Sequence, residues 1–255
     1  MPEARSGIQV IERMMMLLDV LSRHPDPVSL KQLGLETELH PSTAHRILAA
    51  MAAIGFVERA DSGAYRLGIR LLELGNVVKS RISIGQAAMP LMQRLHQQLG
   101  ESVNLGVRQG DEIVYVERTS SGRSSVRVVH LVGARAPLHV TAVGKLFLLE
   151  DGPQKVREYA KRTGLPGFTP TSLTALQALE KELDRVRRHG VAFDNEEIEQ
   201  GLRCIAAPIR DDAGDLVAGL SVSAPADRHN PDWAAIVRKT ADEISAAIGY
   251  VKPSR

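Results

Sequence analysis

The sequence predicts an α+β chain of two parts, and three observations carry that reading. Residues 8–57 hold three stretches with apolar residues at helical spacing, and a pair of short β segments around a Gly-containing turn follows them. From Ser102 onward the texture changes to strand-like segments interrupted unevenly by helices, which suggests an antiparallel sheet with helices against it. Between these regions Gly68 to Leu99 reads as helical, and the domain boundary falls near residues 76–84. In numbers the division is a disordered arm at 1–7, a first domain at 8–68, a linker helix at 69–83 and a second domain at 84–255.

Composition bounds the answer. The chain has 255 residues, 44% of them hydrophobic and 24% charged, which is the balance of a soluble globular protein with room for two domains. No apolar run approaches the roughly 20 residues that span a bilayer. Glu3, Arg5 and Arg13 among mixed apolar residues do not read as a secretory signal, so a cytoplasmic protein without a membrane partner is expected. The single Cys204 rules out an intrachain disulfide and a cysteine-based metal cluster; no metal and no cofactor is expected. The net charge of +2 gives no support for a polyanionic partner, so any basic footprint must be local.

Taken in order, Ile8 to Leu21 is the first helix, with Ile11, Met14, Met15, Leu18 and Leu21 on one face. Val10, Leu17 and Val20 widen that stripe until it must contact a partner subunit as well as its own domain. Met14, Met15 and Met16 read as adaptable packing rather than a ligand site. His24-Pro25-Asp26-Pro27 breaks the helix. Ser29 opens a short second helix through Leu30, Leu33 and Leu35, and Thr37 to His40 is a turn.

The third helix is the organising element. Ala44, Ile47, Leu48 and Met51 repeat at i, i+3, i+4 and i+7, one buried face. Ser42, Thr43, Arg46, Ala49 and Ala50 lie opposite, with His45 at the margin. Ser42 or Thr43 can cap its start, and Gly55 can end it in a left-handed conformation. Residues 39–57 contain no acid. A small, acid-free face with polar residues at the N-terminal end suits a helix that enters the DNA major groove. The plain alternative is an Ala-rich helix packed on both sides. Phe56 to Arg59 and Ala64 to Leu67, around Asp61-Ser62-Gly63, form a hairpin that would set Arg59 and Arg66 beside the sugar-phosphate backbone. Helix, turn, recognition helix and hairpin together make a winged helix-turn-helix.

Gly68 to Arg81 is a linker helix interrupted by Gly75, and Ile84 to Leu99 is a second amphipathic helix ended by Gly100. Strands are expected at Ser102–Arg108, Glu112–Arg118 and Val126–Leu131, with Gln109-Gly110-Asp111 turning the first hairpin and Ser120 to Ser125 a loop. Pro137 to Leu149 passes from a loop into a short helix. Thr171 or Ser172 caps a helix through Leu173, Leu176, Leu179, Leu183 and Val186. Strands at Arg203–Arg210 and Leu216–Ala224 precede a last helix over Asp232–Tyr250.

Three segments of the second domain hold polar groups in apolar settings. Thr141 to Lys145 is a helix start whose small residues let backbone N–H groups reach an anion. Asp194 to Cys204 is the second. In the third, Ser221 and Ser223, two apart on a strand, aim at one sheet face. Each also has a plain explanation: an N-cap, a packed free cysteine, and a strand with a polar face.

These residues resemble the isocitrate lyase regulator (IclR) family of bacterial transcription factors over nearly the whole chain. The family's effector-domain signature is matched by Gly190, Asp194, Glu197, Cys204, Ile205, Ala206, Ile209 and Asp211, with Arg210 where an aromatic is usual. Pro137-Leu138-His139 through Gly144-Lys145 resembles a second landmark. Glu38 stands where the turn of the helix-turn-helix often has Gly. The resemblance implies a winged helix-turn-helix, a linker helix, and a C-terminal domain with a GAF/profilin-like α/β fold that binds a small molecule. It implies a homodimer, or a dimer of dimers, on palindromic double-stranded promoter DNA, with repression expected. By position it places polar effector contacts at Ala142, Val143, Asp194, Cys204, Ser221 and Ser223 and an apolar wall at Val128, Ala136 and Leu202. Small Ala136 leaves room for more than a two- or three-carbon acid, up to an aromatic one.

Two other classes compete. Cys204, His139 and Asp194 are the residue types of a cysteine hydrolase, although a strand thiol amid Ile and Ala is the setting of an inert packed cysteine. A ligand-free architectural DNA-binding protein would lack a use for the polar groups of the second domain.

Overall fold

The structure is a computed structural model that describes residues 4–80, 84–119 and 132–251. The expected Ser120–Ser125 loop, the Val126–Leu131 strand and the wall residue Val128 lie outside the described residues. The chain divides into two compact units, Met1–Ile82 and Ser83–Arg255.

In the first unit α1 (Ala4–Arg23), α2 (Leu30–Thr37) and α3 (Pro41–Ala53) precede a hairpin of β1 (Val57–Arg59) and β2 (Tyr65–Leu67), and α4 (Ile69–Ser80) follows. Helix α1 takes in Ala4 to Gly7, where the sequence reading put an arm. Leu17, Val20 and Leu21 from α1, Leu33 from α2, and Ala44, Ile47, Leu48 and Met51 from α3 make one core with Val28, Val57 and Tyr65. Val28 and Tyr65 exchange both backbone hydrogen bonds at 2.8 Å, so the hairpin is stitched to the segment between α1 and α2. Ile11, Met15 and Leu35 belong to the apolar stripes of the sequence but are exposed in the single chain. One helix face suffices to fill so small a core, and these three lie beyond its edge.

The second unit begins with α5 (Ile84–Leu99). Among the described residues an antiparallel sheet of six strands follows, built from β3 (Ser102–Gln109), β4 (Glu112–Thr119), β5 (Arg135–Pro137), β6 (Ala192–Asn195), β7 (Leu202–Arg210) and β8 (Leu216–Pro225) in the order β5-β4-β3-β8-β7-β6. Helices α5 and α8 (Trp233–Ala247) cover one face, and α6 (Ala142–Thr163) with α7 (Leu176–His189) covers the other. The core on the α6 side joins Tyr115, Leu138, Val143, Phe147, Leu183, Cys204 and Ala206.

Three local expectations change. The helix after Pro137 is long, because Gly152 (φ 80°, ψ 169°) breaks it without ending it and Pro153 opens its second half. Thr171 and Ser172 do not cap α7. Their hydroxyls donate to the carbonyls of Glu196 and Glu197 at 2.7 and 2.6 Å, and the helix starts only at Leu176. Strands β5 and β6 are additions; three or four residues are too few to show an alternating pattern.

Candidate functional site

On α3 the structure exposes Ser42, His45, Arg46, Ala49 and Ala50 and half-buries Thr43, the face the sequence assigned to DNA. Its start differs from expectation. The helix begins at Pro41, a residue whose missing N–H suits a first helical position, and His40 is the cap. His40 Nδ1 takes the backbone N–H of Ser42 at 3.4 Å and pairs with its hydroxyl at 2.7 Å. Ser42 thus leads the helix instead of capping it. Glu38, at the end of α2, has φ 55°, the left-handed conformation that a Gly would adopt without strain. On the hairpin Glu58 lies directly opposite Arg66 and binds its guanidinium at 2.9–3.0 Å, so that charge is part-neutralised. Arg59 makes no ion pair among the described residues and is the freer cation of the wing.

In the second unit the register of the sheet assembles what the sequence scattered. Asp194 pairs with Cys204 and Cys204 with Ser223; Ala206 pairs with Ser221, and Ser221 with Asn104. All of these are buried. Cys204 Sγ lies 3.2 Å from Ser223 Oγ, which accepts from Asn104 Nδ2 at 3.1 Å. Leu202 begins the same strand as Cys204, and Ala136 stands opposite Ile113, both buried.

The start of α6 lies over this row. Val143 seats against Gly106 and Gly219, where a Cβ on Gly219 would come within 2.7 Å of it. Gly144 is needed for the same descent: a Cβ there would stand 2.2 Å from the Leu138 carbonyl oxygen. Thr141 caps the helix by accepting the Gly144 N–H at 3.1 Å, and its carbonyl takes the Lys145 N–H. Ala142 and Val143 are the first-turn residues whose N–H groups have no earlier carbonyl within the helix.

Burial dominates the electrostatics. Asp194 is pushed up to about 7, first by burial and then by the nearby Glu197 charge, although it accepts the Glu197 N–H at 2.8 Å. Burial and the Asp194 charge hold the Cys204 thiol well above its usual range. Tyr115 is raised for the same reasons, with Cys204 and Asp194 as the charges it faces. Lys145, fully buried, donates to Glu197 Oε1 and to the Phe193 carbonyl, both at 2.6 Å, and ties α6 to β6.

The sequence reading missed Asn104 and Tyr115, and it used Lys145 and Glu197 only as landmarks. Strand alternation could have placed Asn104 and Tyr115 on a face, but not beside β8 and Cys204. The hydrolase arrangement does not form. His139 pairs with Tyr159 Oη at 2.8 Å and the Pro166 carbonyl at 3.0 Å, Asp194 accepts from the Glu197 amide, and burial holds the Cys204 thiol well above its usual range.

Comparison with known proteins gives the same account. Residues 10–61 match the IclR helix-turn-helix domain and residues 76–246 the bacterial transcriptional regulator IclR C-terminal domain. The chain is 34% identical over 257 residues to the HTH-type transcriptional repressor AllR of Klebsiella pneumoniae, covering 99% of this chain and 94% of that one. Against AllR of Escherichia coli K12 the identity is 34% over 253 residues, with 97% and 93% covered. An IclR homolog of Microbacterium hydrocarbonoxydans, solved with 4-hydroxybenzoate, has a TM-score of 0.82 at 29% identity, covering 94% of this chain and 98% of that one. IclR of Thermotoga maritima has a TM-score of 0.78 at 30% identity, with 95% and 100% covered. No helix among the described residues is long and apolar enough to cross a membrane. Both units match models of one family of transcriptional regulators: the protein is a ligand-responsive transcriptional regulator, and it belongs to the IclR family.

Proposed function

We propose that this regulator is a cytoplasmic repressor that holds palindromic promoter DNA as a homodimer, or a dimer of dimers, and answers a small organic acid bound in its C-terminal unit. Residues 69–83 connect the reading unit to the sensing unit. The observation that carries the ligand class is the buried row Asp194, Cys204, Ser223 and Ser221 beneath the first turn of α6. A carboxylate there meets the N–H groups of Ala142 and Val143 and the positive end of the helix. Leu202 and Ala136 wall the apolar part. The 4-hydroxybenzoate bound by the Microbacterium protein shows that a hydroxylated aromatic acid suits one relative of this fold.

Asp194 sharpens the class. An ionised carboxylate repels an anion, and this one accepts a hydrogen bond from the Glu197 amide. An effector that offers Asp194 a hydroxyl fits better than a plain alkanoate, so hydroxy acids and hydroxylated aromatic acids head the candidates, ahead of keto acids, whose carbonyl would need a protonated Asp194 as its donor.

The two serines differ. Ser223 already accepts from Asn104 and faces the Cys204 sulfur, whereas Ser221 has only Ala206 across from it on β7. Ser221 is therefore the readier donor. Calorimetric titration with an acid library should find ligands whose affinity falls about ten- to hundred-fold in Ser221→Ala, the equivalent of one charge-assisted hydrogen bond, and less in Ser223→Ala. Operator affinity without effector should stay near wild type. If the tightest ligand is an amine or a neutral apolar molecule that both variants bind normally, this reading of the pocket is wrong.

A further inference from the structure

The buried polar row has an open end, and it lies at Asn104. This residue sits in the middle of β3 with no exposed surface, opposite Ser221 and one diagonal from Ser223. Its Nδ2 donates to Ser223 Oγ at 3.1 Å. An amide N–H can only donate, so Ser223 accepts there; its hydroxyl also lies 3.2 Å from Cys204 Sγ, a contact in which either group can donate. Cys204 in turn stands opposite Asp194 in the β6–β7 register. Amide, hydroxyl, thiol and carboxyl thus form one polar row across β3, β8, β7 and β6. Its far end is satisfied, since Asp194 takes the Glu197 N–H. Its near end is not. Asn104 Oδ1 is buried and has no hydrogen-bond partner among the described residues. A buried carbonyl oxygen without a donor is costly and uncommon, and one that lies beside Ser221 on the effector face calls for a donor from the effector.

We propose that Asn104 is a specificity-determining residue of the effector site: its Oδ1 accepts a hydrogen bond from an O–H or N–H of the bound acid. The protein then selects acids that carry such a donor over deoxy acids of the same shape. This rests on the organic-acid reading above and narrows it, because a keto group alone cannot donate. Asp194 is the weaker candidate for reading the hydroxyl, since its carboxyl already accepts the Glu197 N–H.

The test is calorimetric titration of the full chain with three matched pairs: 4-hydroxybenzoate and benzoate, lactate and propionate, glycolate and acetate. Wild type should bind the hydroxy member of at least one pair about tenfold tighter or more, since a site with a buried unpaired acceptor penalises the ligand that cannot fill it. Asn104→Leu should bind both members within about threefold, with the loss falling on the hydroxy acid. Asn104→Ser, which keeps a smaller acceptor, should fall between the two. Cooperative unfolding and wild-type operator affinity without effector establish that a variant is folded; should the Leu variant fail this, a preference narrowed by threefold or more in Asn104→Ser is the supporting result. A wild-type preference that persists undiminished in the folded variants overturns the proposal, as does equal wild-type binding of both members. Failure of wild type to bind any of the six acids overturns the organic-acid reading itself, and the Asn104 role with it.

Discussion

In the proposed effector site, Asp194 is a single residue that would set a condition on the ligand. Its carboxyl titrates at about 7 where an exposed one does so near 4, because burial and Glu197 both oppose ionisation. A raised acid pKa makes the folded state hold a proton that the unfolded chain has lost, so this residue costs stability progressively as pH rises from about 4 to about 7. Binding of an anion follows the same sign. Below 7 the neutral carboxyl tolerates a carboxylate nearby, and above 7 the ionised form repels it. Effector affinity should therefore fall as pH rises from 6 to 8, and Asp194→Asn should flatten that dependence; an unchanged pH profile in the variant would place the titrating group elsewhere. Glu38 is a second single-residue effect. Its left-handed backbone strains an L-residue by roughly 1–2 kcal/mol, so Glu38→Gly should raise the unfolding midpoint of the first unit, by up to about 1 kcal/mol after the entropy that Gly adds to the unfolded chain. A lower midpoint would show that the Glu38 side chain contributes more than its backbone costs.

At the scale of elements, α3 and the hairpin divide the work on DNA. Arg46 projects from the exposed face of α3, one turn in from its N-terminus. Arg46→Ala should weaken operator binding by about 1–3 kcal/mol while random DNA changes less, as expected of a group that reads a guanine edge. Arg59→Ala should weaken both DNAs alike and lower the salt slope by about one, the mark of a lost phosphate contact. Arg66→Ala should also weaken both, through the charge it removes and the Glu58 carboxylate it leaves unopposed. Equal operator affinity of Arg46→Ala and wild type would require a different docking face. These elements were legible because their signals are local. The Ala44, Ile47, Leu48, Met51 stripe and the Gly-containing wing turn each lie within a few residues. The cap at His40 was not legible, since imidazole is an unusual cap and Ser42 is a common one. The buried polar row was half legible: Ser221 and Ser223 share a face by strand period alone. That Asn104 joins them, and that Lys145 reaches Glu197, depends on which strands and helices become neighbours, which no local pattern states.

At the scale of the whole molecule the open question is how many chains act together, and the surface of the first unit bears on it. Helix α1 leaves Val10 46%, Ile11 59%, Met15 47% and Met16 42% exposed, and α4 leaves Ile69 60%, Leu72 58% and Leu74 41%. Scattered apolar side chains on a surface need no explanation, but consecutive turns of one helix leave a connected patch of the kind that marks an association surface. The core beneath α1 is already complete with Leu17, Val20 and Leu21, so these outer residues are not needed for the unit's own packing. A second copy is the expected cover, because a two-fold pair buries the same patch on both chains and sets two α3 helices to read half-sites about one helical turn, roughly 34–36 Å, apart. Light scattering at micromolar concentration without DNA should give at least a dimer. Ile11→Glu should shift it toward monomer and weaken operator binding far more than it lowers the unfolding midpoint, since Ile11 is outside the core. A wild-type monomer under those conditions would leave the apolar face of α1 without an occupant and remove the physical reason for a pseudo-palindromic operator.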